Sequence, residues 1–282
     1  MKFLNPTLYF SVFFILCSCG LQGQENTNKN KIQNTDNQKV IIKNQTLEVL
    51  NSIKKIPLPN GFERIKVEQN SFGEYLRNLP LKTDDNIINY YDGSENSYQG
   101  GHLAIIDMEI GNRDLQQCAD VAMRLRAEYL YQNKKYDQIQ FTFASGGLGK
   151  FTEYAKGYRG KVQGNKLLWR QTNVKNPSYS RKTFTNYMHL IYAFAGTVSL
   201  PNDVKPVALD DMQIGDIFLK TGRPFGHAVT IADMAENKAT GEKIFLVVQG
   251  FLPAQQFHVL KNLNDSAMSP WYTLEEDGLL EL

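Results

Sequence analysis

Residues 215–252 read GDIFLKTGRPFGHAVTIADMAENKATGEKIFLVVQGFL, and three runs within them, GDIFLK, HAVTIADMA and EKIFLVVQGFL, decide the fold. Each is short and β-type, and turn residues separate it from the next, the pattern of an antiparallel meander. The stretches before it carry helical periodicity instead. Helices before a sheet make an α+β fold, with helices packed on an antiparallel sheet formed largely by the C-terminal third.

Upstream, DLQQCADVAMRLRAEYLY (114–131) places Leu115, Cys118 or Ala119, Ala122, Leu125 and Tyr129 at helical spacing, an apolar stripe with Arg124, Arg126 and Glu128 outside it. Asp114 reads as its N-cap and Gln117, three residues on, completes an Asp variant of the capping box. HLAIIDMEI (102–110) reads as a buried strand leading into this helix, and SYSRKTFTNYMHLIYAFAGT (178–197) as a second amphipathic helix ending at Gly196. Shorter signals predict a helix near Thr46 to Lys54, an extended IPLPNGFERI, and a helix in SFGEYLRNLPL stopped before Pro80. A strand is expected in QIQFTFAS and a hairpin around Gly164-Asn165.

The start of the chain fixes the compartment. The apolar run LYFSVFFIL from Leu8 to Leu16 is too short to span a bilayer as a helix and suits a secretory signal. It ends in Leu16-Cys17-Ser18-Cys19-Gly20, which resembles a bacterial lipobox. That resemblance implies cleavage before Cys19, a diacylglyceryl group on its sulfur, and a membrane partner reached through the N-terminal lipid. The expected organisation is a lipoprotein signal peptide at 1–18, a disordered tether at 19–39, and one globular α+β domain at 40–282. The tether, poor in apolar residues, holds the folded part on the order of 25 Å from the membrane as a flexible coil. Outer-membrane placement is what the lipobox and long tether fit best.

The 31 Lys and Arg nearly balance the 29 Asp and Glu, for a formal charge of +2. No basic tract interleaved with aromatics occurs, so nucleic acid is not an expected partner. With Cys17 removed and Cys19 lipidated, Cys118 is left alone and no internal disulfide forms. His102, His189, His227 and His258 lack metal-ligand spacing, so neither a metal nor a cofactor is expected. Ser145 lacks the Gly-x-Ser-x-Gly elbow, and Asp107 and Glu109 alternate with apolar residues as one polar strand face.

One set of residues carries chemistry: Cys118 near a helix start, then Gly215-Asp216, Gly226-His227, and Gln249 in FLVVQG. A thiolate attacks a carbonyl, an imidazole takes and returns the proton, and a third polar side chain fixes the imidazole tautomer. Cys118, His227 and Gln249 fill those roles, with Gln116 or Gln117 as oxyanion donor. The order and the GDIF…GHAVTIAD stretch resemble papain-like cysteine peptidases of the NlpC/P60 or CHAP type. That resemblance implies a papain-like fold and peptide or peptidoglycan fragments as partners. The chain departs from it in having Gln117 before the cysteine and Ala119-Asp120 after.

A broader resemblance covers nearly the whole mature chain. SFGEYLRNLPLK, DLQQCADVAMRLRAEYLY, FGHAVTIADMA, PAQQFHVL and SPWY are similar to a bacterial lipoprotein family known as domain of unknown function 4846, and this resemblance carries no activity with it. Two expectations stand: an envelope-anchored cysteine hydrolase or amidase of peptide or cell-wall amide bonds, and a non-catalytic envelope lipoprotein using the same fold to bind or scaffold.

Overall fold

The meander expected at 215–252 is the centre of the structure, a computed structural model that describes residues 2–4, 40–41, 48–174, 176–222 and 226–274. Cys17, Cys19 and the 19–39 tether lie outside the described residues. The N-terminal elements are β1 (Lys2–Leu4), β2 (Val40–Ile41), β3 (Glu48–Val49), β4 (Phe62–Arg64), α1 (Phe72–Arg77) and β5 (His102–Ile105). The middle holds α2 (Cys118–Gln132), β6 (Gln140–Thr142), β7 (Leu148–Lys150), α3 (Phe151–Ala155), β8 (Tyr158–Gln163), β9 (Lys166–Gln171) and α4 (Arg181–Phe194). The last third supplies β10 (Lys205–Val207), β11 (Ile217–Lys220), β12 (His227–Asn237), β13 (Lys243–Gln249) and β14 (His258–Leu260).

These make a mixed helix and antiparallel-sheet fold. The main sheet runs β10-β1-β11-β12-β13-β14-β5, and β4 pairs with the far end of β12. All pairings are antiparallel except those of β1, which lies parallel to β10 and β11. β12 is the longest strand, and its residues His227 to Ala235 are buried without interruption. Both faces of the sheet are therefore covered. On one face Ala232, Ala235, Leu246 and Val248 pack with Val121 and Leu125 of α2 and Leu76 of α1. On the other, Val229, Ile231, Phe245 and Val247 pack with Phe218 and Tyr272.

α2 also joins α3 and α4 in a third cluster through Ala119, Ala122 and Met123, with Phe151, Phe184 and Tyr187 opposite. A helix with apolar neighbours on several sides buries polar residues too. Glu128, expected outside the stripe, is buried, where its carboxylate accepts from Arg181 Nη1 at 2.5 Å and Nη2 at 2.7 Å.

Two further expectations give way to longer-range hydrogen bonds. Where the helix expected at Thr46 to Lys54 falls on described residues, from 48 on, the chain is instead β3 and one 3-10 turn over Ile53–Lys55. Its backbone bonds outward: Ile53 N–H donates to Leu79 O and Leu81 N–H to Asn51 O. The strand read at 102–110 ends at Ile105, because Asp107 N–H turns to Pro80 O. α1, the hairpin β8–β9 and α4 lie where the sequence places them, with Ser71 and Ser180 as N-caps accepting from Glu74 and Thr183 N–H. No helix among the described residues is long and apolar enough to cross a membrane.

Candidate functional site

Cys118 is the first residue of α2, with Gln117 and not Asp114 as the N-cap. The cause lies one residue earlier, where Gln116 has φ 56°, a left-handed conformation through which no α-helix continues. The capping carboxylate is Asp120, whose Oδ2 accepts from Gln117 N–H at 3.0 Å. Asp114 serves the loop, accepting from Ala254 N–H at 2.8 Å and Gln117 Nε2 at 3.1 Å. The thiol therefore stands in the first helical turn, where the helix dipole favours negative charge.

The sulfur faces the beginning of β12. Cys118 Sγ donates to Gly226 O at 3.9 Å, the carbonyl preceding His227. Burial pushes the thiol up, while the N–H groups of Ala228 and Ala119 hold it down and Asp120 adds a small rise. Two glycines allow this close assembly. A Cβ on Gly226 would meet Thr197 Oγ1 at 2.4 Å and Lys220 O at 2.6 Å, and one on Gly250 would meet Val121 Cγ2 at 2.6 Å. Gly226 thus lets the start of β12 lie against Thr197 and β11, and Gly250 lets the end of β13 lie against α2.

The register of three strands then builds a chain of polar contacts. His227 Nε2 lies 2.8 Å from Gln249 Oε1. Gln249 pairs with His258 across β13 and β14, and its Nε2 lies 3.2 Å from His258 Nε2. His258 Nδ1 lies 2.9 Å from Gln256 O.

These contacts determine where the protons sit. A carbonyl only accepts, so His258 Nδ1 carries a hydrogen. Burial holds His258 down at about 4, so at neutral pH its Nε2 is a lone pair that accepts from the Gln249 amide NH2. The amide oxygen is then fixed toward His227, whose Nε2–H donates to it. The basic nitrogen of His227 is consequently Nδ1. Burial also pushes His227 below its usual range, against the opposing effect of Gln249, so imidazole and thiol both rest uncharged.

The structure places the Cys118 sulfur against the backbone on either side of His227, joins the His227 ring to Gln249, and adds His258, which sequence reading passed over as one of four scattered histidines. Its signal was the spacing in Gln249-Gly250 to His258, but only the strand register turns that into a contact. His102 joins from β5, its ring centroid 6.0 Å from that of His258 and its Nε2 2.8 Å from Asn86 O. Gln116 is committed elsewhere: its Nε2 donates to Ile110 O at 2.6 Å and its Oε1 accepts from Arg124. The donors at the thiol are therefore backbone N–H groups, those of Ala119 in the first turn and Ala228 in β12, while Gln117 Nε2 donates to Asp114.

Asp120 is the unusual member of this turn. It is buried, burial pushes it up to about 8, and its Oδ1 has no hydrogen-bond partner. Among the described residues no group of three His, Cys, Asp or Glu side chains is placed to hold a metal ion.

No curated protein and no solved structure matches the chain. A family model does, over residues 53–282, which include every element of the site: the chain belongs to the family described as domain of unknown function (4846).

Proposed function

We propose that the chain is an envelope-anchored cysteine hydrolase of papain-like architecture, acting on peptide or cell-wall amide bonds and tethered through a lipidated Cys19 at the outer membrane, in a mature form that has lost β1 with the residues before Cys19. The observation that supports this most is the tautomer of His227, which leaves Nδ1 as a base on the residue whose backbone neighbours enclose the Cys118 sulfur. His227 Nδ1 takes the Sγ proton, and the sulfur attacks the substrate carbonyl carbon. The oxyanion forms beside the first-turn N–H groups of α2. As the C–N bond breaks, Nδ1–H protonates the departing amine and leaves a thioester. Water, deprotonated by the same nitrogen, then releases a carboxylate and restores the thiol.

The burial that pushes the thiol up and the imidazole down favours a second reading, in which the chain is a non-catalytic envelope lipoprotein that binds or scaffolds. Alkylation of Cys118 by iodoacetamide against pH, with and without His227→Ala, separates the two. A hydrolase labels near neutral pH and slows about tenfold or more without the base. A thiol that labels only in denaturant belongs to a scaffold. Correspondingly, Cys118→Ala abolishes amide hydrolysis with the melting temperature nearly unchanged; a large loss of thermal stability with nothing lost in activity would mark a core residue.

A further inference from the structure

Beside Gln249 and His258 the surface opens into a cavity of about 400 Å³, a volume typical of small-ligand sites. Its inner wall includes His258, Leu260 and Tyr272, all buried. Its rim carries Tyr98, Phe251, Leu252 and Leu263, exposed by 60%, 41%, 44% and 59%. These are four of the nine large hydrophobic side chains exposed among the described residues, gathered from three separate segments around one opening. Such concentration of exposed apolar surface marks a binding site and not ordinary scatter.

Two further observations say what fits. The ring centroid of Phe251 lies 5.5 Å from that of His227, so one rim residue also borders the proposed base. Among the lining residues Lys261 is the one Lys or Arg, and no carboxylate is present. Lys261 is held in place, its Nζ donating to Gly100 O at 3.0 Å. A cationic side chain would meet a like charge with no anion to offset it, whereas an uncharged aromatic or large aliphatic one buries its surface against the rim.

We propose that this cavity is the specificity subsite of the enzyme, taking a large apolar side chain of a peptide substrate beside the bond that Cys118 cleaves. The assignment of the bond rests on the hydrolase reading; the occupancy of the cavity does not. The test is ligand-observed NMR on the full chain carrying Cys118→Ser, so that binding is read whether or not the thiol proves reactive. N-acetyl-phenylalaninamide and N-acetyl-lysinamide are the probes. The phenylalanyl probe binds about tenfold or more tightly than the lysyl one, and Leu263→Asp weakens it by a similar factor. Tyr98→Ser, a second exposed rim change, weakens it in the same direction. Equal affinity for the two probes, or rim variants that melt like the parent and bind the phenylalanyl probe unchanged, overturns the proposal. Reactivity of Cys118, measured separately by alkylation, decides the hydrolase reading alone.

Discussion

Replacing Asp120 by asparagine removes a titration that the fold makes expensive. In the unfolded chain this carboxyl ionises near 3.8; in the folded protein burial holds its proton up to about pH 8. Between those values the folded state binds more protons at Asp120 than the unfolded one, so this carboxyl's contribution to stability is greatest below pH 4 and falls as pH rises. The loss is about 1.4 kcal/mol for each pH unit, so about 4 kcal/mol between pH 5 and pH 8. Asparagine does not titrate. Its amide oxygen still accepts from Gln117 N–H, and its NH2 stands where the protonated carboxyl carries its O–H.

Urea unfolding of the parent and of Asp120→Asn at pH 5, 6.5 and 8 measures the difference. The variant gains on the parent steadily with pH, by about 4 kcal/mol over the range, a large part of the 5–15 kcal/mol typical of a folded domain. Parallel stability curves, with a constant offset between the two proteins, would refute the reasoning. Because ionised Asp120 also raises Cys118, the variant should alkylate at lower pH than the parent.

Three other perturbations test the frame around the thiol. Gln249→Ala removes the group that orients His227 and strands His258 Nε2; it should slow neutral-pH alkylation of Cys118 about tenfold or more and cost about 1–3 kcal/mol in urea unfolding. An unchanged alkylation profile would mean that Gln249 merely fills space. Gly250→Ala drives a methyl into Val121, pushing the start of α2 from β13, and should cost about 1–3 kcal/mol while altering Cys118 labelling. Labelling and melting like the parent's would mean the helix adapts without displacing the sulfur. Asp233 has a fully buried side chain between Arg64 and Arg77, with Nε to carboxylate distances of 2.7 Å each. Asp233→Ala leaves two cations without their anion and should cost about 3–5 kcal/mol by urea unfolding.

The sheet was legible in the sequence because β11, β12 and β13 are runs of β-branched and aromatic residues parted by turns. α4 and the β8–β9 hairpin were legible for equally local reasons, an amphipathic period ending at a glycine and a Gly-Asn turn. The start of α2 was not. Asp114 and Gln117 have capping-box spacing, and so do Gln117 and Asp120; only the backbone at Gln116 decides between them. Glu128 was misplaced because its partner, Arg181, lies 53 residues away on another helix. In the candidate site, Cys118, His227 and Gln249 were read from their order along the chain, and strand register sets His227 beside Gln249. His258 could not, since its role depends on pairing opposite Gln249, and the Asp120 carboxyl gave no sign of its burial.

β12 has a further consequence, for how this framework can diverge. From His227 to Ala235 every side chain is buried, so neither face of the central strand offers a position that can vary without repacking a core. New specificities must come from the segments that border the cavity, around Tyr98, Phe251 and Leu263, which connect the framework elements and carry little of its packing. The protein thus separates a part that must be inherited almost intact from a part that selection can rewrite, and the second is the place to begin redesigning what it binds.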